Sequence, residues 1–323
     1  MKRILLALAL AAFCHPAAAA DWPSQPIKWI VPFPAGGQLD VVSRLVAERI
    51  APALGQPIVI EVKTGASGNI GTDLAARAAP DGYTWLAASP PTTIQPAVRP
   101  TSIHYDPLKD FAPVAFIGTS PFLFVVPSSL PVNTLDEFVA YAKAHRGTMS
   151  YAGSSYGTVV HLASEQFKRD TGIEMTMINY PGQPSAIADL LTGRVQFMCL
   201  GLILAEPQLK AGKLKALAIL DPKRHPHIPN VPSVVELGHP DLVMQTWFGL
   251  AVPKGTPDAV IAKVNAEVNK TLAAPDVRER LATMGVDVAA PGTPADFGRF
   301  LAEDFARWKK IAGGLDIDLD KMK

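Results

Sequence analysis

Short apolar runs alternate with amphipathic stretches along almost the whole chain. "IKWIVPF", "IVIEV" and "TWLAA" have the length and β-former content of strands, and "DVVSRLVAERIAPAL" and "NIGTDLAARAA" between them repeat their apolar positions at helical spacing. Strand, helix, strand in this order is the rhythm of a mostly parallel α/β sheet. The rhythm breaks at "FAPVAFIGTSPFLFVVPSS", where two strand-like pieces almost touch with no helix between them, and this predicts a crossing into a second lobe. There it resumes: helix "TLDEFVAYAKAH", strand "MSYA", helix "TVVHLASEQFKRD", strand "EMTMIN", helix "PSAIADLLTG", strand "VQFMCLG", helix "AEPQLKAG" and strand "LKALAIL". Proline-rich "DPKRHPHIPNVPSVVELGHPD" reads as the return path. The stretches "TPDAVIAKVNAEVNKTLAA" and "TPADFGRFLAEDFARWKKIA" predict two long closing helices, each opened by Thr-Pro. The expected organisation is a first lobe from 21–122 completed by 223–323, a second lobe from 123–222, and a hinged cleft between them.

The first twenty residues stand outside this pattern. Lys2 and Arg3, a short apolar run and "PAAAA" make a secretory signal over 1–20, too short to span a membrane. Phe13 argues against a lipid anchor at Cys14. Thirty Lys and Arg stand against 29 Asp and Glu; without Lys2 and Arg3 the net charge is −1, which excludes nucleic acid and anionic membrane surfaces as partners. Only Cys199 then remains of the cysteines, read as a buried core residue. The seven histidines show no metal-ligand spacing, and no cofactor is expected.

The candidate chemistry lies in four turns that lead from strand to helix: "PAGGQLD" (34–40), "TGASGNIG" (64–71), "AGSSYGT" (152–158) and "YPGQPSA" (180–186). Such turns lie at the carboxyl ends of parallel strands, where ligands bind. Helix starts there offer unpaired N–H groups and partial positive charge, and glycine lets an anion approach them. Gly36 and Gly37 are suited to this without any lysine or arginine, while Asp40 reads first as a helix cap and second as a ligand contact. Two enzymatic readings compete. "GSSYG" fits the nucleophile elbow of a serine hydrolase, with Ser155 as nucleophile and Asp189 followed by His225, His227 or His239 as partners, although no oxyanion stretch like HGGG precedes it. "GASGNIG" has the wrong glycine spacing for a dinucleotide site.

Taken in order, "WPSQPIKWIVPFPAGGQLDVVSRLVA", "PDGYTWLAASPPTTIQPAV", "YDPLKDFAPVAFIG", "SYAGSSYGTVVHLASEQF", "AGKLKALAI" and "WFGLAVPKGTPDAVIAKVN" resemble the Bug-type periplasmic solute receptors of tripartite tricarboxylate transporters. The resemblance covers nearly everything after the signal. It implies a two-lobed α/β periplasmic binding protein of type II-like form, with two strands crossing between the lobes. It also implies a non-catalytic, monomeric receptor that closes on a small organic carboxylate and delivers it to a transmembrane permease. Carried over position by position, it implicates Phe33, Ala35, Gly36, Gly37 and Asp40 on one side of the cleft, and Ser154, Ser155, Tyr156, Gly157 and Thr158 on the other. Ser89 and Thr92, in a loop after the third strand, and Tyr180 and Gly182 are further cleft positions. The chain departs from many relatives at "KTGASGN", where they read like "NRPGAGG", which gives Lys63 and Asn69 a different setting. It departs again at Leu200 and Gly201, where Asp-Asn is common; an apolar Leu200 in the cleft wall would favour a carboxylate with an uncharged, partly apolar body.

Overall fold

The computed structural model describes residues 22–314, with side chains to Ile311. The signal over 1–20 lies outside the described residues. Ten strands form a single curled sheet: β1 (Ile27–Val31), β2 (Ile58–Val62), β3 (Thr84–Ala88), β4 (Phe111–Pro127), β5 (Ser150–Ser154), β6 (Thr176–Tyr180), β7 (Phe197–Gly201), β8 (Leu214–Ile219), β9 (Gln245–Pro253) and β10 (Asp287–Val288). The path runs β2-β1-β3-β9-β4-β7-β5-β6, with β8 and β10 also pairing with β4. Parallel pairs (β1 with β2 and β3, β5 with β6 and β7) lie at the two ends, and antiparallel pairs involving β4 and β9 lie in the middle. The protein is thus an α/β fold of two lobes built on one mixed sheet.

The two strand-like pieces of the sequence are one continuous strand of 17 residues. Its first part, Phe111–Pro121, pairs with β9, and its second, Phe122–Pro127, pairs with β7 and β8. Ser120 and Pro121 interrupt the apolar run but not the hydrogen-bonded ladder, and that is why the sequence reads as two strands. The chain comes back through 220–244 and enters β9 at Gln245, opposite Pro121.

Among the described residues ten α-helices cover the sheet: α1 (Gln38–Leu54), α2 (Asn69–Ala76), α3 (Pro90–Val98), α4 (Leu135–Ala144), α5 (Val159–Thr171), α6 (Gln183–Leu191), α7 (Leu202–Lys210), α8 (Asp258–Ala273), α9 (Pro275–Thr283) and α10 (Pro294–Gly314). Strands covered on both faces are apolar almost throughout: in β1 only Lys28 is exposed, and it pairs with Glu61 on β2 at 3.7 Å. The first lobe's core sets Trp29 edge-on to Trp85, with ring centroids 5.6 Å apart, against α1 and α8. The second lobe's core gathers Phe124, Phe138, Phe167 and Phe197, with Phe124 5.0 Å from Phe197 and Phe138 at the same distance from it. Ile94 of α3 and Trp308 of α10 are buried in that same second-lobe core. These two elements follow and close the first lobe in sequence, so the lobes share packing as well as a strand.

Candidate functional site

Each of four helices starts on the wall of one cleft between the lobes. The N-caps of α1, α3, α5 and α6 are Gly37, Ser89, Thr158 and Gly182, and all four line it. The rest of the wall is mainly apolar: Phe33, Pro34 and Leu39 from the first turn and α1, Phe122 and Phe248 from β4 and β9, Val159 and Val160 from α5. Gln38, Gln183, Ser154 and Thr246 supply side-chain polarity, and no ionisable side chain lines the cleft among the described residues.

The caps are not equivalent. Thr158 caps its own helix: its hydroxyl donates to the Ser154 carbonyl at 2.9 Å and accepts from the His161 N–H at 3.4 Å. In α3, the Thr92 hydroxyl accepts from the Ser89 N–H at 3.2 Å, and Pro90 and Pro91 bring no N–H groups to the first turn. Gly37 and Gly182 have no side chain to offer. The first-turn N–H groups of α1, and those of Gln183 and Ser185 in α6, where Pro184 has none, therefore lack both an intrahelical acceptor and a side-chain cap, leaving donors for a ligand. These two starts face each other: a Cβ built on Gly182 would lie 2.9 Å from the Pro34 ring, and one on Gly37 would lie 4.0 Å from Pro184. Each helix start contributes about half a positive charge, so the cleft is electropositive without a cation. The lobes stand close across it.

Of the residues singled out in the sequence, Phe33, Gly37, Ser89, Ser154, Thr158 and Gly182 meet at this cleft. Ser155 and Tyr156 line instead a wider outer groove, with Phe33 as the partition and the 64–68 turn as the opposite wall. Ala35 and Gly36 are exposed. The Gly36 N–H donates to Asp40 at 2.9 Å and the Gly37 N–H to the Pro34 carbonyl at 3.1 Å, so the bare backbone of the glycine pair is consumed in building the turn. The donors left over belong to Gln38 and Leu39. Asp40 also accepts from Arg44 at 2.9 Å and is buried, which makes it a brace of the turn. The Gly157 N–H donates to His161 Nδ1 at 3.1 Å. Burial lowers the His161 pKa to about 4, which keeps the ring a neutral acceptor. Tyr180 donates to Asp189 at 2.7 Å; burial first, then that carboxylate, push its hydroxyl up to about 12.

Two expectations are corrected. Ser89 and Thr92 do not sit in a loop; they open α3, a helix the sequence hides behind Pro90, Pro91 and Pro96. Leu200 does not form the cleft wall. It is fully buried, pairs with Leu123 across β4 and β7, and packs with Ala186, Leu190, Leu202 and Ala205 under α6 and α7. On a strand covered on both faces its neighbour Cys199 simply takes the opposite core, where burial raises the thiol pKa. The cleft residues that sequence reasoning passed over are the glutamines and the aromatics of the crossing strands. Gln183 Oε1 accepts from the Gly201 N–H at 2.9 Å and from Gln38 Nε2 at 3.5 Å, tying the lobes across the cleft.

The serine-hydrolase constellation is engaged elsewhere. Ser155 Oγ donates to the Pro181 carbonyl at 3.4 Å, Asp189 serves Tyr180 and Arg194, His225 and His227 stand near Asp287 and Glu206, and His239 packs edge-on to Phe167.

Residues 42–317 match the model of the tripartite tricarboxylate transporter family receptor. The chain belongs to this family. It is 37% identical over 306 residues to Protein BugT of Bordetella pertussis, covering 94% of this chain and 93% of that one. Among solved structures it is similar to R. palustris Rpa4515 with adipate (TM-score 0.86, 33% identity, 91% of this chain and 98% of that one). It is similar also to MatC from Rhodopseudomonas palustris with bound malate (TM-score 0.85, 33% identity, 90% and 100%). Receptors of this family are periplasmic solute-binding proteins and not enzymes, and this chain is a Bug-type member.

Proposed function

We propose that this tripartite tricarboxylate transporter receptor captures a small organic carboxylate with an uncharged body in its interlobe cleft and delivers it to a transmembrane permease. One observation carries the reading: two uncapped helix starts, at Gly37 and Gly182, face each other across a cleft that no ionisable side chain lines among the described residues. Backbone N–H groups aimed at one point bind a carboxylate by charge-assisted hydrogen bonds. An ammonium there would meet no carboxylate, and burying an unpaired charge costs several kcal/mol. The apolar body of a ligand would gain roughly 25 cal/mol for each Å² buried against Phe33, Phe122 and Phe248. The preference for an uncharged body thus rests on the whole lining and not on Leu200. Adipate and malate, bound by the two similar R. palustris proteins, likewise carry no ammonium group, and each has a second carboxylate.

The test is calorimetry against a panel of adipate, malate, short aliphatic and aromatic monocarboxylates, aspartate, glutamate and citrate, together with mass spectrometry of small molecules released from the purified protein. Tightest binding among the uncharged-body acids is expected. Tightest binding of aspartate or glutamate would refute the proposal.

A further inference from the structure

Outside the ligand cleft, the first lobe donates three hydrogen bonds to two neighbouring carbonyls of the second. Gln95 Nε2, on α3, lies 3.0 Å from both the Tyr156 and the Gly157 oxygens, and Ser67 Oγ donates to the same Tyr156 oxygen at 2.8 Å. Gln95 is fully buried, and it is not among the residues lining the cleft.

Both halves of this contact are set in advance. On the acceptor side, Ser155 and Gly157 are both left-handed, with φ of 69° and 68°, and so bracket Tyr156 in a bent turn. For Ser155 that conformation is strained. It is held by its N–H bonds to the Tyr180 carbonyl at 3.0 Å and Asn179 Oδ1 at 3.1 Å, and by the Gly157 N–H bond to His161. On the donor side, Asn69 Nδ2 donates to Gln95 Oε1 at 3.3 Å, and Tyr105 donates to Asn69 Oδ1 at the same distance. Asn69 thereby fixes which end of the Gln95 amide faces the second lobe; the opposite orientation would set Oε1 against two carbonyl oxygens.

We propose that Gln95, oriented by Asn69 and Tyr105, is an interlobe latch that raises ligand affinity by holding the closed arrangement without touching the ligand. When the lobes part, water takes over the carbonyls of Tyr156 and Gly157. When they close without Gln95, the buried Gly157 carbonyl loses its donor and the part-buried Tyr156 carbonyl keeps only Ser67, a penalty borne by the closed state alone. Apparent affinity falls with the fraction of molecules in the binding-competent form. The inference rests on the carboxylate-receptor reading only for its affinity arm, because the latch itself is visible without ligand.

The experiment compares wild type with Gln95→Leu, Ser67→Ala and Asn69→Ala. The measurements are small-angle scattering without ligand, adipate binding by calorimetry with dissociation by stopped flow, and thermal melting. The expected result for Gln95→Leu is a larger unliganded radius of gyration and adipate binding about 10-fold or more weaker, through faster dissociation. Ser67→Ala and Asn69→Ala should move the same way by less, with melting close to wild type. If Gln95→Leu does not fold, the two milder variants decide. Folded variants with wild-type scattering and wild-type dissociation would overturn the latch. A wild type that binds no member of the carboxylate panel would count against the carboxylate reading, while the scattering comparison would still judge the latch.

Discussion

His161 should make stability fall in acid by an amount that can be worked from its surroundings. The ring is about 1% exposed, its Nδ1 accepts from the Gly157 N–H, and the charged groups around it are Glu165, Lys168 and Arg99. Burial dominates and lowers its pKa to about 4, against about 6.5 in the unfolded chain. Above pH 6.5 the imidazole is neutral in both states and its contribution is complete. As pH falls from 6.5 to 4 the unfolded chain binds a proton that the folded one refuses, so stability is lost at up to about 1.4 kcal/mol per pH unit. The total is about 3 kcal/mol, levelling off below pH 4. Glutamine at this position keeps an acceptor for the Gly157 N–H but cannot titrate. Urea unfolding of wild type and His161→Gln from pH 7.5 to 3.5 isolates the term as the difference between the two curves. That difference should shrink by about 3 kcal/mol between pH 7 and pH 4. Parallel curves would refute the reasoning, because they would mean that the ring is as easily protonated in the folded protein as out of it.

Gly37→Val should weaken carboxylate binding by about 1–3 kcal/mol, since its Cβ would lie 3.0 Å from the Pro34 carbonyl and crowd the approach to the α1 start; unchanged affinity in calorimetry would remove this turn from the site. Leu200→Ala should cost about 2–5 kcal/mol of stability in denaturant unfolding and leave ligand ranking alone, whereas a near-neutral cost with altered ranking would return Leu200 to the cleft wall. Ser155 should resist fluorophosphonate labelling, and Ser155→Ala should still bind ligand; a labelled Ser155, read by mass spectrometry, would reopen the hydrolase reading.

The alternating strands and helices were legible because their periodicities differ and because glycine or threonine marks most helix starts. The Gly182 turn could be read for the same reason. Helix α3 was not, since Pro90, Pro91 and Pro96 argue locally against a helix that its packing secures through Ile94 in the second-lobe core and Thr93 on Asp304. Leu200 was misplaced because "VQFMCLG" is apolar without alternation, and such a run does not say which face each side chain takes. Gln38, Gln95 and Gln183 carry no signal in a sequence: an amide has meaning only when folding brings it opposite a carbonyl or an N–H.

The burial of Ile94 and Trp308 in the second-lobe core bears on how the chain comes to be folded at all. The middle of the chain cannot complete its own interior, because one piece of it is supplied by a helix that precedes it and another by the last helix of all. A nascent or translocating chain that has delivered residues 123–222 but not α10 therefore has a second lobe with a Trp-sized gap. Only the arrival of the carboxyl end closes it, so that both lobes should unfold together in a single transition despite the cleft between them.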